Sequence, residues 1–428
     1  MADEERKEEQ QGEEQLNFEE RFRRGMDISG YFSTGQKVFL GLQHTLAMFG
    51  ATILIPIITG LSVSATLFAA GVGTIIFHFM TGHKVPAFLG SSFAFVAPIL
   101  VGADVLGLQY VQAGIIGAGV VYLIVGLIVR GLGPDRVARV FPPVVTGPII
   151  MTIGLGLAPI GIDMASEHYG AAAVALVVAL VVSLFGKGML KVIPVIFGLL
   201  AGYIVAAIIG LVDFSPVAEA GWIGLPGFTA PKFDWAILAI VTPAALVSLL
   251  EHIGDVLAIG NTVGRDVKRD PGLDPTLYGG GIATIISGAV GGASLTTYGE
   301  NIGVLALTRI YSTFVVTMGA LWAILLSIVP KIEALIMSIP EPVIGGVSVL
   351  LYGMIAAVGV RTVVENQVNL VQTRNLIIAS VILVLGVGDA SFEIGETVEV
   401  SSMVVAAVAG IVLNLILPVY EEEEAPQE

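Results

Sequence analysis

Long apolar runs, most of them near twenty residues and each closed by Gly, Pro or a charged residue, fill the chain from Val38 to residue 419. About 20 apolar residues in a helix span the ~30 Å hydrocarbon layer of a bilayer. A helix is also the one open-ended structure that satisfies its own backbone there. The runs lie near 38–59, 64–82, 86–101, 110–130, 141–161, 171–187 and 192–212, then, after a polar connection from Asp213 to Asp234, near 235–260, 275–291, 295–308, 310–330, 341–360, 373–388 and 401–419. The pattern predicts an all-α polytopic membrane protein of fourteen transmembrane spans. Charged residues make up 13% of the chain, about half the fraction usual in soluble domains. That excludes a soluble multi-domain enzyme and a disordered chain.

The charge sits at the ends. Residues 1–27 carry ten acids and five bases, and the last eight carry five acids and no base, so the two tails supply −10 of the net −15. Both read as solvated acidic tails, 1–35 and 420–428. No signal peptide is expected, because the first twenty-odd residues are charged. With the N-terminus placed in the cytoplasm and the spans alternating, eighteen of twenty Lys and Arg fall on the cytoplasmic side and only Lys232 and Lys331 fall outside. This positive-inside sorting favours fourteen spans with both termini cytoplasmic. The absence of cysteine excludes disulfides, thiolate nucleophiles and Cys-ligated metals.

The chain also repeats itself. Leu42-Gln43-His44 matches Leu250-Glu251-His252 at an offset of 208, and Ser91-Ser92-Phe93-Ala94 matches Thr296-Thr297-Tyr298-Gly299 at 205. Pro143-Val144, Gly147, Gly154 and Ala158 match Pro342-Val343, Gly346, Gly353 and Ala357 at 199. Three matches in one order at a drifting offset predict two repeats, 36–212 and 235–419. Seven spans per half is odd, so the second repeat is expected upside-down, the inverted architecture of secondary transporters.

The third and tenth spans read as discontinuous. Each opens with small, hydroxylated and aromatic residues, Pro86 to Phe95 and Ser294 to Asn301, before a helical apolar run. Extended backbone leading into a half-helix is expected in both, tolerated only where it lines a cavity. Two half-helix N-termini would present free N–H groups and positive dipole ends to a polar ligand. Ionisable residues deep in the apolar runs are few: Glu251, His252 and Asp255 in the eighth and Glu300 in the tenth. A buried carboxylate is costly in a membrane and marks a functional site. Glu251 and Asp255, four apart, share a helix face, and like charge and burial together favour one shared proton. His44 and His252 are expected to make structural hydrogen bonds rather than bind metal. Neither a zinc motif, a Ser–His–Asp order nor a Walker loop is present. Phe93 and Tyr298, as repeat mates, are placed to cover a flat ring. Carboxylates to accept N–H groups, half-helix amides to donate and aromatic covers together predict a planar, neutral, hydrogen-bonding ligand.

At these residues the sequence resembles the nucleobase–ascorbate transporter (nucleobase–cation symporter-2) family. Glu300-Asn301-Ile302-Gly303 followed by Thr308-Arg309 fits its signature of Gln, Glu or Pro, then Asn-x-Gly, four residues, Thr, and Arg, Lys or Gly. Gln43-His44 matches the family's first-span pair. Leu89 to Phe95, Glu251-His252-Ile253-Gly254 and Thr296 to Gly303 are similar to the bacterial uracil permease branch. The resemblance implies a core domain of about 36–130 and 235–330 and a gate domain of about 137–212 and 331–419. It implies a proton-coupled uracil symporter of the cell membrane, with core sliding against gate. The expected coupling ion is H+ rather than Na+, with no cofactor, no metal and no enzymatic activity. The expected partners are the nucleobase, the lipid bilayer and a second copy in a homodimer, with no nucleic acid. By similarity Glu251 and Glu300 bind the base, with the backbone at Phe93 and Gly299 completing the site beside Tyr298. Asp255 and Glu251 would carry the proton, Gln43, His44, His252 and Asn301 would support them, and Tyr352 would stand on the gate side. One position departs: uracil-type members usually carry His where this chain has Asp255, which is more like the purine-transporting members. A xanthine or uric acid symporter is therefore the alternative substrate reading. A same-fold anion transporter or channel is the alternative of another class.

Overall fold

A computed structural model describes residues 18–24, 26–388, 390, 392–394 and 398–418. The acidic stretches expected at the two extreme ends, 1–17 and 419–428, lie outside the described residues. Helices α1 (Thr34–Thr59), α2 (Val63–Met80), α3 (Val96–Val105), α4 (Leu108–Leu132), α5 (Pro143–Ser166), α6 (Tyr169–Phe185) and α7 (Pro194–Ile208) form the first half. The second holds α8 (Trp235–Val263), α9 (Leu273–Val290), α10 (Gly299–Thr308), α11 (Thr313–Ser327), α12 (Glu341–Glu365), α13 (Thr373–Val387) and α14 (Ser402–Ile416). Each apolar run of the sequence thus contains a helix, with ends shifted by a few residues except in the third, whose helix starts ten residues into the run.

Local chemistry sets the ends. Ser33 caps α1 in a reciprocal capping box with Gln36, Ser62 caps α2, and Pro stands in the first turn of α5, α7 and α12, where its missing N–H costs nothing. Six of these helices are long and apolar enough to cross a membrane alone, and α11 with the short helix Pro330–Met337, bent by 83°, forms a seventh candidate. Bulky apolar side chains such as Phe185 (75% exposed) and Ile208 (78% exposed) face outward, as in a molecule solvated by lipid.

The third and tenth runs are broken as their composition predicts. Strands β1 (Leu89–Ser91) and β2 (Leu295–Thr297) precede α3 and α10 and pair antiparallel, Leu89 opposite Thr297 and Ser91 opposite Leu295. Their backbone groups are therefore paired with each other deep in the protein. A second antiparallel strand pair, β3 (Phe392–Ile394) with β4 (Val398–Val400), lies between α13 and α14.

Packing falls into two groups. Helices α1, α2, α4, α9 and α11 pack on one another around the β1–β2 pair, and the first turns of α8 lie on α4. Helices α5, α6, α7, α12, α13 and α14 form a second group, centred on a tight α5–α12 crossing. A methyl group on Gly359 would stand 2.5 Å from the carbonyl oxygen of Gly147, and one on Gly154 would overlap the Tyr352 carbonyl. Glycine thus sets this distance of approach, in the small-residue mode of membrane helix packing. The remainder of α8 runs between the groups and touches α5 and α14.

The N-terminal segment is ordered earlier than a solvated tail to residue 35 would have it. Asp27 accepts from the backbone of Ser29 (2.8 Å) and Tyr311 (3.0 Å), the Ile28 N–H donates to the Arg309 carbonyl (3.0 Å), and Ile28 is 2% exposed. The buried Ile28 side chain, packed with Ile310 and Val315, and the Asp27 carboxylate thus tie this stretch to the connection between α10 and α11.

Candidate functional site

The β1–β2 pair is built as a platform. Tyr298 donates its hydroxyl to the Ser91 carbonyl (2.8 Å), and its N–H to the Phe88 carbonyl (3.1 Å). Its ring lies on Gly90, where an added methyl would stand 2.5 Å from the ring carbons. Thr74 on α2 accepts from the Leu89 N–H (2.9 Å), and Thr284 on α9 donates to the Leu295 carbonyl (3.0 Å). The platform is thereby fixed to two flanking helices.

Glu251 and Asp255 lie one turn apart on α8, and the platform supplies each with a hydroxyl. Ser92 Oγ donates to Glu251 Oε2 at 3.2 Å, and Thr297 Oγ1 donates to Asp255 Oδ2 at 3.1 Å. Reasoning from the sequence did not assign Ser92 and Thr297 these contacts with the carboxylates. The signal was present, because they are repeat mates at the offset of 205. Glu300 enters from the first turn of α10, where the N–H ends of the half-helix favour a negative group.

These three acids line one cavity of about 230 Å³, with Phe93, Tyr298 and Gly299 on the same side and Ile150, Met354, Ile355 and Val358 opposite. The polar wall belongs to α8, α10 and the broken segments, and the apolar wall to α5 and α12. Drug-sized ligands occupy ~300–1,000 Å³, so this space suits a single small ring system. Neither Lys nor Arg lines it among the described residues. A second cavity of about 470 Å³ shares Glu300 and Met354 with the first and runs between α1 and α7 to Lys191.

The expected supporting residues are placed as follows. Asn301 Nδ2 donates to the His44 carbonyl at 3.0 Å and lies 3.2 Å from His44 Nδ1, joining α10 to α1. Gln43 is half-buried on α1 and lines neither cavity. Tyr352 on α12 stands behind Phe93, their rings edge-to-face at 5.9 Å, and so touches the site through that ring. His252 departs from expectation. No hydrogen bond reaches either ring nitrogen among the described residues, and the ring is enclosed edge-on by Phe77 (6.1 Å) and Tyr122 (5.7 Å). Adjacent residues point to different helix faces, so exposing Glu251 to the cavity turns His252 into the apolar packing against α4 and α2.

A small cavity between two helix groups, acidic on one wall and lined by half-helix ends, defines a membrane transporter. The family model described as "Permease family" matches residues 35–394, and the chain belongs to that family, the nucleobase–ascorbate transporters. It is a transporter and not an enzyme. The chain is 46% identical over 408 residues to the uracil permease of Bacillus caldolyticus, covering 92% of this chain and 94% of that one. It is 41% identical over 401 residues to the uracil permease of Paenibacillus larvae, covering 90% and 95%. Among solved structures, the transmembrane domain of the cyanobacterium bicarbonate transporter BicA shares the fold, with a TM-score of 0.62, 16% identity, and coverage of 88% of this chain and 98% of that one.

Proposed function

We propose that the chain is a proton-coupled uracil symporter that imports the base by movement of a core domain, about 36–130 and 235–330, against a gate domain, about 137–212 and 331–419. The observation that carries this reading is the convergence of Glu251, Asp255 and Glu300 on a 230 Å³ cavity whose lining holds no basic residue among those described. A neutral ring with N–H donors satisfies such a wall. Glu251 and Glu300 accept those N–H groups, the amides at Phe93 and Gly299 donate to ring carbonyls, and Phe93 covers a face. The kinship with uracil permeases supports the same ligand.

Three carboxylates lining one cavity repel one another, and in this reading Asp255 with Glu251 are the coupling groups rather than a Na+ site. Fourteen spans in two inverted repeats are supported by the fourteen helical runs and by the antiparallel pairing of β1 with its repeat mate β2. The two packing groups support the core and gate. The same reading places both termini in the cytoplasm of a cell-membrane protein and assembles it as a homodimer.

Asp255 favours a second substrate reading, xanthine or uric acid, since its added acceptor would face an extra N–H of a larger base. An anion substrate would want a cation in the cavity. Radiolabelled uracil uptake into proteoliposomes under an imposed pH gradient tests the proposal. Uphill uptake that collapses with a protonophore and resists excess xanthine is the expected result, and uphill xanthine uptake in its place would overturn it.

A further inference from the structure

We infer that the groove between α4 and α8 is a phospholipid site, with an acyl chain lying along the helices and the headgroup phosphate on Lys232. The groove has a volume of about 550 Å³ and shares no lining residue with the carboxylate cavity. Its floor is a stripe on α4, Ala113, Ile116 and Val120 with their neighbours Gly117 and Val121, spaced three and four apart so that they share a face. Leu238 and Trp235 of α8 form the other wall. Thr242, the hydroxyl in the lining, donates its proton to the Gly114 carbonyl at 3.1 Å, so that donor is taken within the protein and the trough between is lined mainly by apolar side chains.

The polar handle stands at one end. The Lys232 ammonium is held 5.7 Å from the centre of the Tyr110 ring, and its backbone N–H donates to the Gln109 carbonyl (2.8 Å), so the charge sits at the N-terminal turn of α4. The positive end of that helix adds to it. The neighbouring acid, Asp234, is committed to the Ala236 N–H at 2.7 Å as the cap of α8. Phe233 and Trp235, 59% and 77% exposed and edge-to-face at 4.9 Å, flank the same end. Aromatic rings of this kind settle at the headgroup level. From Ala113 to Val121 the trough runs ~12 Å along the helix, close to the hydrocarbon depth of one leaflet. Apolar trough, interfacial aromatics and terminal cation match the three parts of a phospholipid in order. The match holds in whichever leaflet this end lies.

Native mass spectrometry of the detergent-purified full chain, titrated with phosphatidylglycerol and separately with phosphatidylcholine, tests the site. One phosphatidylglycerol retained per chain is expected. Lys232→Gln should weaken its retention about fivefold, the factor one lysine contributes at an anionic surface. Val120→Trp, at a position 43% exposed and so safe for folding, should fill the trough and remove the bound lipid of either kind. Circular dichroism and gel filtration establish that both variants are folded. Equal phosphatidylglycerol retention by Lys232→Gln and wild type overturns the headgroup assignment, and equal retention by Val120→Trp overturns the site. A change of oligomeric mass in Val120→Trp overturns it as well, by making the groove a contact between two copies of the chain.

Discussion

Ser92 and Thr297 each spend a hydroxyl on a carboxylate of α8, and a hydroxyl that donates to an acid fixes where the acid's remaining lone pairs point. Those of Glu251 are substrate acceptors in the proposed mechanism, and those of Asp255 belong to its coupling group. Glu251→Gln keeps the size but removes the charge and turns a donor toward the ligand. A hydrogen bond to a charged group contributes ~1.5–3 kcal/mol. Uracil binding to Glu251→Gln, measured by titration calorimetry on folded protein, should therefore weaken roughly ten- to a hundred-fold. Glu300→Gln should lose less, because the family signature admits Gln there. Wild-type affinity in Glu251→Gln would remove that residue from the site. Asp255→Asn tests coupling apart from binding. One proton falling through ~100 mV yields ~2.3 kcal/mol, so this variant should bind uracil and yet fail to concentrate it under a pH gradient. Uphill uptake at the wild-type level would show that the proton travels elsewhere. The signature residues have a further structural reason. Arg309 ends α10 with φ at 57°, its N–H on the Leu305 carbonyl (2.9 Å) and its own carbonyl taking the Ile28 N–H. That left-handed cap explains why Gly is among the residues the signature allows at this place.

At the scale of elements, the helices were legible because a membrane span needs only length and hydropathy, and both are written in the sequence. The two breaks were legible because small and hydroxylated residues interrupt the apolar runs at matching places. What could not be read was that the two extended pieces pair with each other. Pairing depends on where repeat mates come together in space, and a local pattern carries no such information. For the same reason Ser92 and Thr297 were visible as a match but not as donors, and His252 was expected to hydrogen-bond though helix geometry turns it into aromatic packing. The β1–β2 pair leaves no room at Gly90, because the Tyr298 ring covers it. Gly90→Val should force the ring off the strand, break its bond to the Ser91 carbonyl and destabilise the fold by ~1–3 kcal/mol. A lower melting temperature and weaker uracil binding are expected together, since Thr297, Tyr298 and Gly299 are consecutive. A variant that melts and binds like wild type would show that the platform tolerates repacking and does not set the site.

At the scale of the whole molecule, the two packing groups meet along few surfaces, and α1 against α7 is one of them. Gly50 of α1 faces Val195 of α7, and a Cβ on Gly50 would lie 3.1 Å from the Val195 Cβ. Disulfides need Cβ atoms ~3.5–4.5 Å apart, so a few tenths of an ångström of give would bring a cysteine pair there into range. The chain has no cysteine, which makes such a pair the sole thiols present. Both residues line the cavity that leads from Glu300 to Lys191, so a bond between them ties the proposed core to the proposed gate beside the route itself. If transport is movement of one group against the other, the oxidised Gly50→Cys, Val195→Cys protein should lose proteoliposome uptake nearly completely and recover it on reduction. Each single cysteine variant should be indifferent to oxidant. Substrate binding to the locked form should persist, because Glu251, Asp255 and Glu300 all lie on one side of the lock and keep their positions. Full uptake by a quantitatively oxidised double variant would mean that α1 and α7 travel together, and the boundary between moving parts would then have to be drawn elsewhere in the molecule.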